Sequence, residues 1–395
     1  MHYAMMRRTP SGAASLARGG SPVPSTPFEL ICALLRARLR GAQPPPHLGL
    51  HFGGDPDVDL VWARIASMHR LTPALAGCIR DLGVTGALPA ELRAYLDAIA
   101  AGNASRNQQV RDQLHQIVLR LNSLGIVPCL LKGAARLVDR LYPDDSWRFM
   151  IDIDLLLPSW RMSAALAALQ QAGYVVCDPI GDGKPHHHEP PLVHRERGVS
   201  VELHRYFGGG LQRRLLPVDE IRARIQLRDT PLGRVGLLAP EDQIVYLVGH
   251  LQVEDGCWFQ GTTRLRDLIE LDLLVGRYGG ALDWAEIVGT LSGAGCRRAC
   301  LSTFCTASRL LGTPLPEIVT AEFDPGIRRG TARVIRQERS STLMRIGLAY
   351  GWAARHLQRL AMDAEHRRHV TRGWHPSRVR NSLRTLRCRL SSAPY

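Results

Sequence analysis

Apolar residues at intervals of three and four predict helices throughout the first third of the chain. The expected helices are 28–40, one or two helices within 58–82 around the Thr72-Pro73 break, and 89–124. Pro89 suits a first helical turn and Gly125 suits a C-terminal stop. Residues 1–26 are rich in Ser, Pro, Gly and Arg, so we expect a disordered leader there and a helical region over residues 27–124.

After Gly125 the pattern changes to short alternating segments that are typical of strands, with helices between them. The expected strands are 127–131, 151–157, 174–177, 192–195 and 199–205, and the expected helices are 134–141 and 159–172. From Pro240 onward the pattern is helical again, with 241–253, 263–278, 283–292 and 296–311 as candidates. The strands of residues 125–239 should therefore lie between two helical regions, the second of which covers residues 240–322.

Two carboxylates interrupt the apolar strand 151–157, where Asp152 and Asp154 alternate with aliphatic residues. They share one face of the strand, roughly 7 Å apart by strand rise. Like charges so placed repel unless a cation lies between them, and hard oxygen ligands suit Mg²⁺ or Mn²⁺. A second alternating strand carries Glu202 and His204 on one face, which predicts the other half of a metal site. In the alternative interpretation, the Asp pair caps or forms salt bridges at a sheet edge near Arg148.

Lysine is rare in this chain, because 2 of the 50 basic residues are Lys and the others are Arg. One of the two, Lys132, ends an apolar strand in a Lys132-Gly133 turn before a predicted helix. A compact ammonium beside a phosphate is a role in which arginine does not replace lysine. The alternative is that Lys132 survives by chance.

The run His186-His187-His188 has the composition of a zinc or nickel ligand cluster. Adjacent residues of an extended segment point to opposite sides, so the three rings cannot easily face one ion. We therefore favour a substrate-facing loop, with incidental metal affinity as the alternative.

The nine cysteines form no CxxC motif, and Cys296, Cys300 and Cys305 follow helical spacing, which predicts reduced thiols packed in a core. No apolar run is long enough for a membrane span and the N-terminus lacks an apolar signal core, so we expect a cytoplasmic protein without a membrane partner.

The net charge of +14 is concentrated near the C-terminus, since residues 326–395 contain 16 Arg and three acidic residues, a balance of +13. We expect residues 323–395 to be a basic, solvated and partly disordered tail. Such a tail could attract a nucleic acid or an acidic peptide. A possible apolar stripe, with Leu343, Ile346, Leu357 and Leu360, suggests instead a helix that packs on the body.

A series of short motifs then gives a family resemblance. The motifs of the strand-containing region are Leu131-Lys132-Gly133-Ala134-Ala135, Leu141-Tyr142-Pro143, Arg148, Asp152-Ile153-Asp154-Leu155-Leu156 and Val201-Glu202-Leu203-His204. Those of the second helical region are Leu238-Ala239-Pro240-Glu241-Asp242, His250, Arg266-Asp267 and Asp283-Trp284. In order and spacing they resemble the polymerase-beta-like nucleotidyltransferase superfold, and more closely a bacterial family of uncharacterised nucleotidyltransferases. The resemblance spans roughly residues 90–312.

This resemblance implies an α+β fold in which a small mixed β-sheet with flanking helices, residues 125–239, is preceded and followed by helical regions. It implies that Asp152 and Asp154 are metal ligands, that Glu202 is the third carboxylate and that the Gly133 turn approaches phosphate. Lys132 and Arg148 would neutralise phosphate, and His204 would orient substrate or metal-bound water. One departure is the Lys132-Gly133 turn itself, where the superfold usually has Gly-Ser or Gly-Gly, and Gly133 precedes Asp152 by 19 residues, more than is common.

The function implied is transfer of a nucleoside monophosphate from a nucleoside triphosphate, such as ATP, with Mg²⁺ or Mn²⁺ as cofactor and release of pyrophosphate. Two metals held by three carboxylates would stabilise both ends of an in-line displacement. The acceptor could be a small molecule, a peptide or a protein. The alternatives are a non-catalytic, antitoxin-like or regulatory binding protein, and a nucleic-acid binder that uses the basic tail.

Overall fold

The computed structural model describes residues 26–46, 48, 56–177, 187–196, 198–293 and 295–362. The predicted leader up to residue 25, the residue His186 and the end of the basic segment beyond residue 362 lie outside these residues. The first helices are α1 (Pro27–Arg40), α2 (Pro56–Met68), α3 (Thr72–Asp81) and α4 (Ala90–Asn122), which confirms the predicted N-terminal helical region.

The middle of the chain forms a seven-stranded sheet with helices between its strands. Its strands are β1 (Cys129–Leu130), β2 (Asp152–Leu156), β3 (Tyr174–Val176), β4 (Leu192–His194), β5 (Ser200–His204), β6 (Gln226–Thr230) and β7 (Gly233–Leu237). Its helices are α5 (Lys132–Asp139), α6 (Met162–Gln171), α7 (Gly210–Leu215) and α8 (Val218–Arg224). The strand order is β3-β4-β5-β2-β1-β7-β6. Because β2 is parallel to β5 and antiparallel to β1, the sheet is mixed, and the predicted α+β class is confirmed.

The second helical region begins with α9 (Pro240–Gly249), which continues into a π-helical turn at His250–Glu254. It continues with α10 (Cys257–Gln260), α11 (Leu265–Tyr278), α12 (Trp284–Gly293), α13 (Arg297–Leu311) and α14 (Glu317–Thr320). Cys296, Cys300 and Cys305 are buried there, as their helical spacing predicts. Among the described helices, none combines the length and the apolar run that a membrane span requires.

Alternation along β2 and β5 gives the sheet one apolar face and one polar face. On the apolar face Ile153, Leu155, Val201 and Leu203 are fully buried in a cluster with residues of α4 and α6. Burial of each of these side chains stabilises the folded state by about 1.5–3 kcal/mol, so this face of the strands turns toward the core. Asp152, Asp154, Glu202 and His204 are therefore directed to the opposite face.

Helix α4 also fixes the segment that leads into β2. Asn103 donates hydrogen bonds to the carbonyls of Ser146 and Arg148, at 2.6 and 3.1 Å, and Asn107 donates to Asp145 and Arg148. Both amides are buried. Since a buried polar group is stable only when it is hydrogen-bonded, these contacts define the path of residues 145–148 toward the acidic strand.

The basic segment after residue 323 begins as folded structure, which corrects the expectation of a solvated tail for this part. Helix α15 (Pro325–Glu338) packs against α13, and Ile327 is fully buried. Helix α16 (Ser341–Met362) packs against α15 and α10. Three of the arginines of α15, Arg328, Arg329 and Arg336, are exposed. Charge therefore dominates the composition of this helix, while a narrow apolar stripe packs it against the body.

Candidate functional site

The parallel pairing of β2 and β5 brings the predicted acidic residues together. Asp154 is paired in register with Glu202, and Asp152 with Ser200. His204 Nε2 lies 2.8 Å from Asp154 Oδ1 and 3.3 Å from Glu202 Oε2. One ligand atom from each of Asp154, Glu202 and His204 lies within 4.8 Å of the others, so these three side chains form a compact group of possible metal ligands.

The electrostatics of this group are strongly coupled. Burial alone would raise the pKa of the Asp154 carboxyl, which is 1% exposed, but the Lys132 ammonium and the hydrogen bond from His204 hold it far below its usual range. Burial lowers the pKa of the His204 imidazole, and hydrogen bonds to Asp154 and Glu202 raise it overall. Burial likewise raises the pKa of Glu202, and the His204 hydrogen bond brings it below its ordinary value.

The group fits a divalent cation. Asp154 Oδ2 is buried and has no hydrogen-bond partner in the described part of the chain. An orphaned carboxylate oxygen of this kind is costly, and coordination to a cation would satisfy it. Carboxylate oxygens suit Mg²⁺ and Mn²⁺, while an imidazole ligand favours transition metals.

Lys132 lies directly beside the acidic group. Its Nζ is 2.7 Å from Asp154 Oδ1, and its backbone φ is +44°, in the left-handed region. Such a conformation costs about 1 kcal/mol or more for a residue other than glycine. Burial lowers the pKa of the Lys132 ammonium, but the negative charges of Asp154 and Asp152 outweigh this effect and raise it. Lys132 is therefore held as a cation at the acidic face of the sheet.

Gly133 lies inside the first turn of α5, since the helix begins at Lys132 and not at residue 134 as predicted. A Cβ atom at this position would lie 2.8 Å from Met150 Cγ. The glycine thus allows close approach of α5 to the segment before β2. The predicted contact of Gly133 with phosphate stays a prediction.

Asp152 lies at the start of β2, outside the compact group of Asp154, Glu202 and His204. Burial and the neighbouring charge of Asp154 raise its pKa, while the Lys132 charge lowers it in part. The two aspartates therefore differ in the direction of their pKa shifts. Asp154 pairs with Lys132 and His204, whereas Asp152 is repelled by the negative charge of Asp154. The predicted role of Asp152 as a metal ligand stays a prediction.

Arg148 forms part of a buried network with the second helical region. Arg148 Nε lies 3.0 Å from Glu270 Oε2, and Arg136 Nε lies 2.9 Å from Glu270 Oε1. The Tyr142 hydroxyl donates to the same carboxylate at 3.1 Å. These contacts link α5 and the loop before β2 to α11. They support a positioning role for Arg148, and its contact with phosphate stays a prediction.

Two residues of the histidine run, His187 and His188, lie beside the acidic group. The His187 and His188 rings have centroids 5.3 and 5.2 Å from that of His204, and His188 Nε2 is 3.8 Å from Glu202 Oε2. Burial lowers the pKa of the His187 imidazole to about 2, and the neighbouring histidines contribute to this effect. These two histidines thus border the site, and whether they face a substrate stays a prediction.

The sequence interpretation did not include Glu270 or Tyr246. Glu270 lies within the otherwise apolar stretch Leu268-Ile269-Glu270-Leu271, and a buried acid in such a stretch signals a charged partner. Tyr246 has a buried hydroxyl without a hydrogen-bond partner among the described residues, and burial raises its pKa while the nearby Lys132 ammonium lowers it in part. No pattern in the sequence distinguishes Tyr246 from a core tyrosine.

Comparisons with known proteins agree with the geometry. A search of curated proteins finds no match. The family model described as uncharacterised nucleotidyltransferase matches residues 56–312, which include the sheet, the acidic group, Lys132 and the helices as far as α13. This match covers well over half of the chain, so the protein belongs to the uncharacterised nucleotidyltransferase family.

Proposed function

We propose that this protein is a divalent-metal-dependent transferase, which moves a nucleoside monophosphate from a nucleoside triphosphate to an acceptor and releases pyrophosphate. Membership of the nucleotidyltransferase family supports the reaction class. The observation that carries the assignment to particular residues is the compact group of Asp154, Glu202 and His204 with the Lys132 ammonium beside it.

The reaction forms a bond between an acceptor oxygen and the α-phosphorus and breaks the bond from that phosphorus to the oxygen that bridges to the β-phosphate. Negative charge then increases on the departing pyrophosphate. A metal ion bound by Asp154 and Glu202, with His204 as a nitrogen ligand, would stabilise the charge of the transferring group. Asp152 is the fourth candidate ligand.

The chain's own cations have separate roles in this proposal. Lys132 keeps the Asp154 carboxylate ionised and oriented, and it adds positive charge at the start of α5, where the first backbone amides favour a phosphate. In this proposal Glu202 accepts the proton that the acceptor loses, because its side chain, at 19% exposure, is the most accessible of the three ligands.

The test uses the full chain with ATP, GTP, CTP or UTP, with MgCl₂, with MnCl₂ and with EDTA. We expect at least one nucleotide to raise the melting temperature only when metal is present, because a ligand that binds the native state alone stabilises it. Glu202→Gln and Asp152→Asn should reduce or abolish this shift. Asp219→Asn is the matched control, since Asp219 is a carboxylate with a side chain 92% exposed.

Release of pyrophosphate from the same nucleotide, in the presence of candidate acceptors, then measures turnover. Equal melting shifts with EDTA and with metal would contradict the proposed metal dependence. The absence of a shift with all four nucleotides would contradict the proposed substrate class.

A further inference from the structure

Three arginines lie on two turns that are in contact, where the N-terminal helical region touches the start of α11. Arg70 follows α2, and Arg264 and Arg266 flank Leu265, the first residue of α11. The Leu265 backbone N–H donates to His69 Nδ1 at 3.4 Å, so the turn that bears Arg70 lies against the turn that bears the other two. The three side chains thus come from two segments almost 200 residues apart in sequence.

A buried carboxylate from α15 holds these two segments together. Glu338 Oε1 accepts a hydrogen bond of 2.9 Å from the backbone N–H of Thr263, and Glu338 Oε2 lies 3.5 Å from His69 Nε2. Glu338 and His69 are both buried. The relative position of Arg70 and the arginines of α11 is therefore fixed from inside the protein and does not depend on mobile surface side chains.

The backbone at Arg70 is unusual for an arginine. Its N–H bonds to the carbonyl of Ser67, the N–H of Leu71 bonds to the carbonyl of Ala66, and its φ is +51°. This pattern ends α2 in a Schellman motif, in which glycine usually occupies the left-handed position. The Arg70 side chain is exposed and forms no ion pair with any residue that the structure describes. A strained backbone position is thus occupied by a cation that has no ion-pair partner among the described residues.

The other two guanidinium groups are oriented by carboxylates but keep free donors. Arg264 Nη1 lies 2.7 Å from Asp255 Oδ2 and 3.7 Å from Asp267 Oδ2, and Arg266 contacts Asp267 through Nε and Nη2. A guanidinium group has five N–H donors, so these contacts leave part of each group available. An anion would find three cations already in place.

The charges of this cluster extend to the acidic strand. Partial burial lowers the pKa of the Arg70 guanidinium, and the positive charges of Arg266 and Arg264 lower it further, whereas the negative charges of Asp267 and Asp152 act in the opposite sense. Arg264 and Arg266 thus repel Arg70, and Asp152, at the start of β2, is near enough to attract it. Bound phosphate oxygens would remove this repulsion, and guanidinium groups match their geometry well.

We propose that Arg70, Arg264 and Arg266 form a binding site for the β- and γ-phosphates of the nucleoside triphosphate. This inference rests on the proposed function, because it places the leaving pyrophosphate between the acidic strand and α11. The α-phosphate would react beside Asp154, Glu202 and His204, and the arginine site would lie beyond these residues. A monophosphate would not reach the arginines, so the site would favour a triphosphate.

The test replaces Arg70 by glycine in the full chain. Glycine is the residue that the left-handed position favours, so Arg70→Gly should keep or raise the melting temperature while it removes the guanidinium. The matched control is Arg64→Ala, since Arg64 is an exposed arginine of α2 with no recorded partner among the described residues. Isothermal titration with Mg²⁺-tripolyphosphate, ATP, AMP and adenosine measures each affinity.

We expect Arg70→Gly to bind tripolyphosphate and ATP about 10-fold to 100-fold more weakly, the effect of one charge-assisted hydrogen bond, and to bind AMP and adenosine as the wild type does. Arg64→Ala should match the wild type with every ligand. Equal ATP affinity in the wild type and Arg70→Gly would overturn the inference and leave the proposed function intact. If the wild type binds neither tripolyphosphate nor any of ATP, GTP, CTP and UTP, both the inference and the proposed function are overturned.

Discussion

Glu270 is the counter-charge of two buried arginines, and its neutralisation provides a quantitative test of the network that joins the sheet to α11. Glu270→Gln keeps the shape of the side chain but leaves Arg136 and Arg148, both buried, without a negative partner. Removing one partner of a buried ion pair costs about 3–5 kcal/mol. The two arginines also hold the pKa of the Glu270 carboxyl at about 2, against an ordinary value of 4.5, although burial acts in the opposite direction. At about 1.4 kcal/mol per pH unit, this difference corresponds to roughly 3 kcal/mol, in agreement with the first figure.

The assay is urea unfolding of the wild type and Glu270→Gln, with Asp219→Asn as control. Asp219 forms an exposed pair with Arg222 at 3.5 Å, so its neutralisation should cost about 0–1 kcal/mol. Because the pKa of Glu270 is lower in the folded state, its contribution is complete above about pH 4.5 and is lost as the pH falls toward 2. The gap between wild type and Glu270→Gln should therefore narrow by about half or more between pH 5 and pH 3. A loss no larger than that of the control at pH 7, or a gap that stays constant with pH, would refute the reasoning.

Three further predictions concern single residues. Lys132→Arg keeps the charge but exchanges a compact ammonium for a planar group, so nucleotidyl transfer should fall about 10-fold or more, and unchanged kinetics would contradict a phosphate role. In EDTA, Asp154→Asn should lower the free energy of unfolding by about 3 kcal/mol, because it deprives the Lys132 ammonium of its 2.7 Å partner. Asp152→Asn should change the free energy of unfolding by less than about 1 kcal/mol or raise it, because it relieves repulsion from Asp154. Equal effects of the two variants in urea unfolding would contradict the different environments of the two acids. Ile327→Ala should cost about 2–5 kcal/mol, while Ile346→Ala, at a position 60% exposed, should cost less than about 0.5 kcal/mol, and similar melting temperatures for the two variants would show that α15 is not part of the folded body.

The acidic strands could be predicted from the sequence because their pattern is local. Alternation over 151–157 and 199–205 specifies both the strands and the face that carries Asp152, Asp154, Glu202 and His204. The expectation that both aspartates repel each other in the same way was incomplete. It did not include the contacts of Lys132 and His204 with Asp154, which Asp152 does not share among the described residues. Such contacts between residues 22 and 50 positions apart have no periodic signal.

The elements missed by the sequence analysis have weak or misleading patterns. Strand β6 is polar and exposed at the sheet edge, so its pairing with β7 depends on the turn at Gly233, where φ is +114°. In α15, arginines obscure an apolar stripe that includes Ile327 and Val334. Asp324 and Pro325 were local signals of its start, since Asp324 caps the helix through a 2.8 Å hydrogen bond from the N–H of Ile327.

The contacts around α11 bear on why this sheet is accompanied by so many helices. Glu270 connects α11 to Arg136 of α5 and to Arg148 of the loop before β2, while Leu265 at the start of α11 contacts the turn at His69. Helix α11 is thus fixed to α5, to the loop before β2 and to the N-terminal helical region. If only the sheet were needed for catalysis, these buried charges would be a cost without a benefit, since apolar residues could fill the same space at least as favourably. Their presence is consistent with a cleft in which the helical regions set the distance between the phosphate-binding cations and the acidic strand.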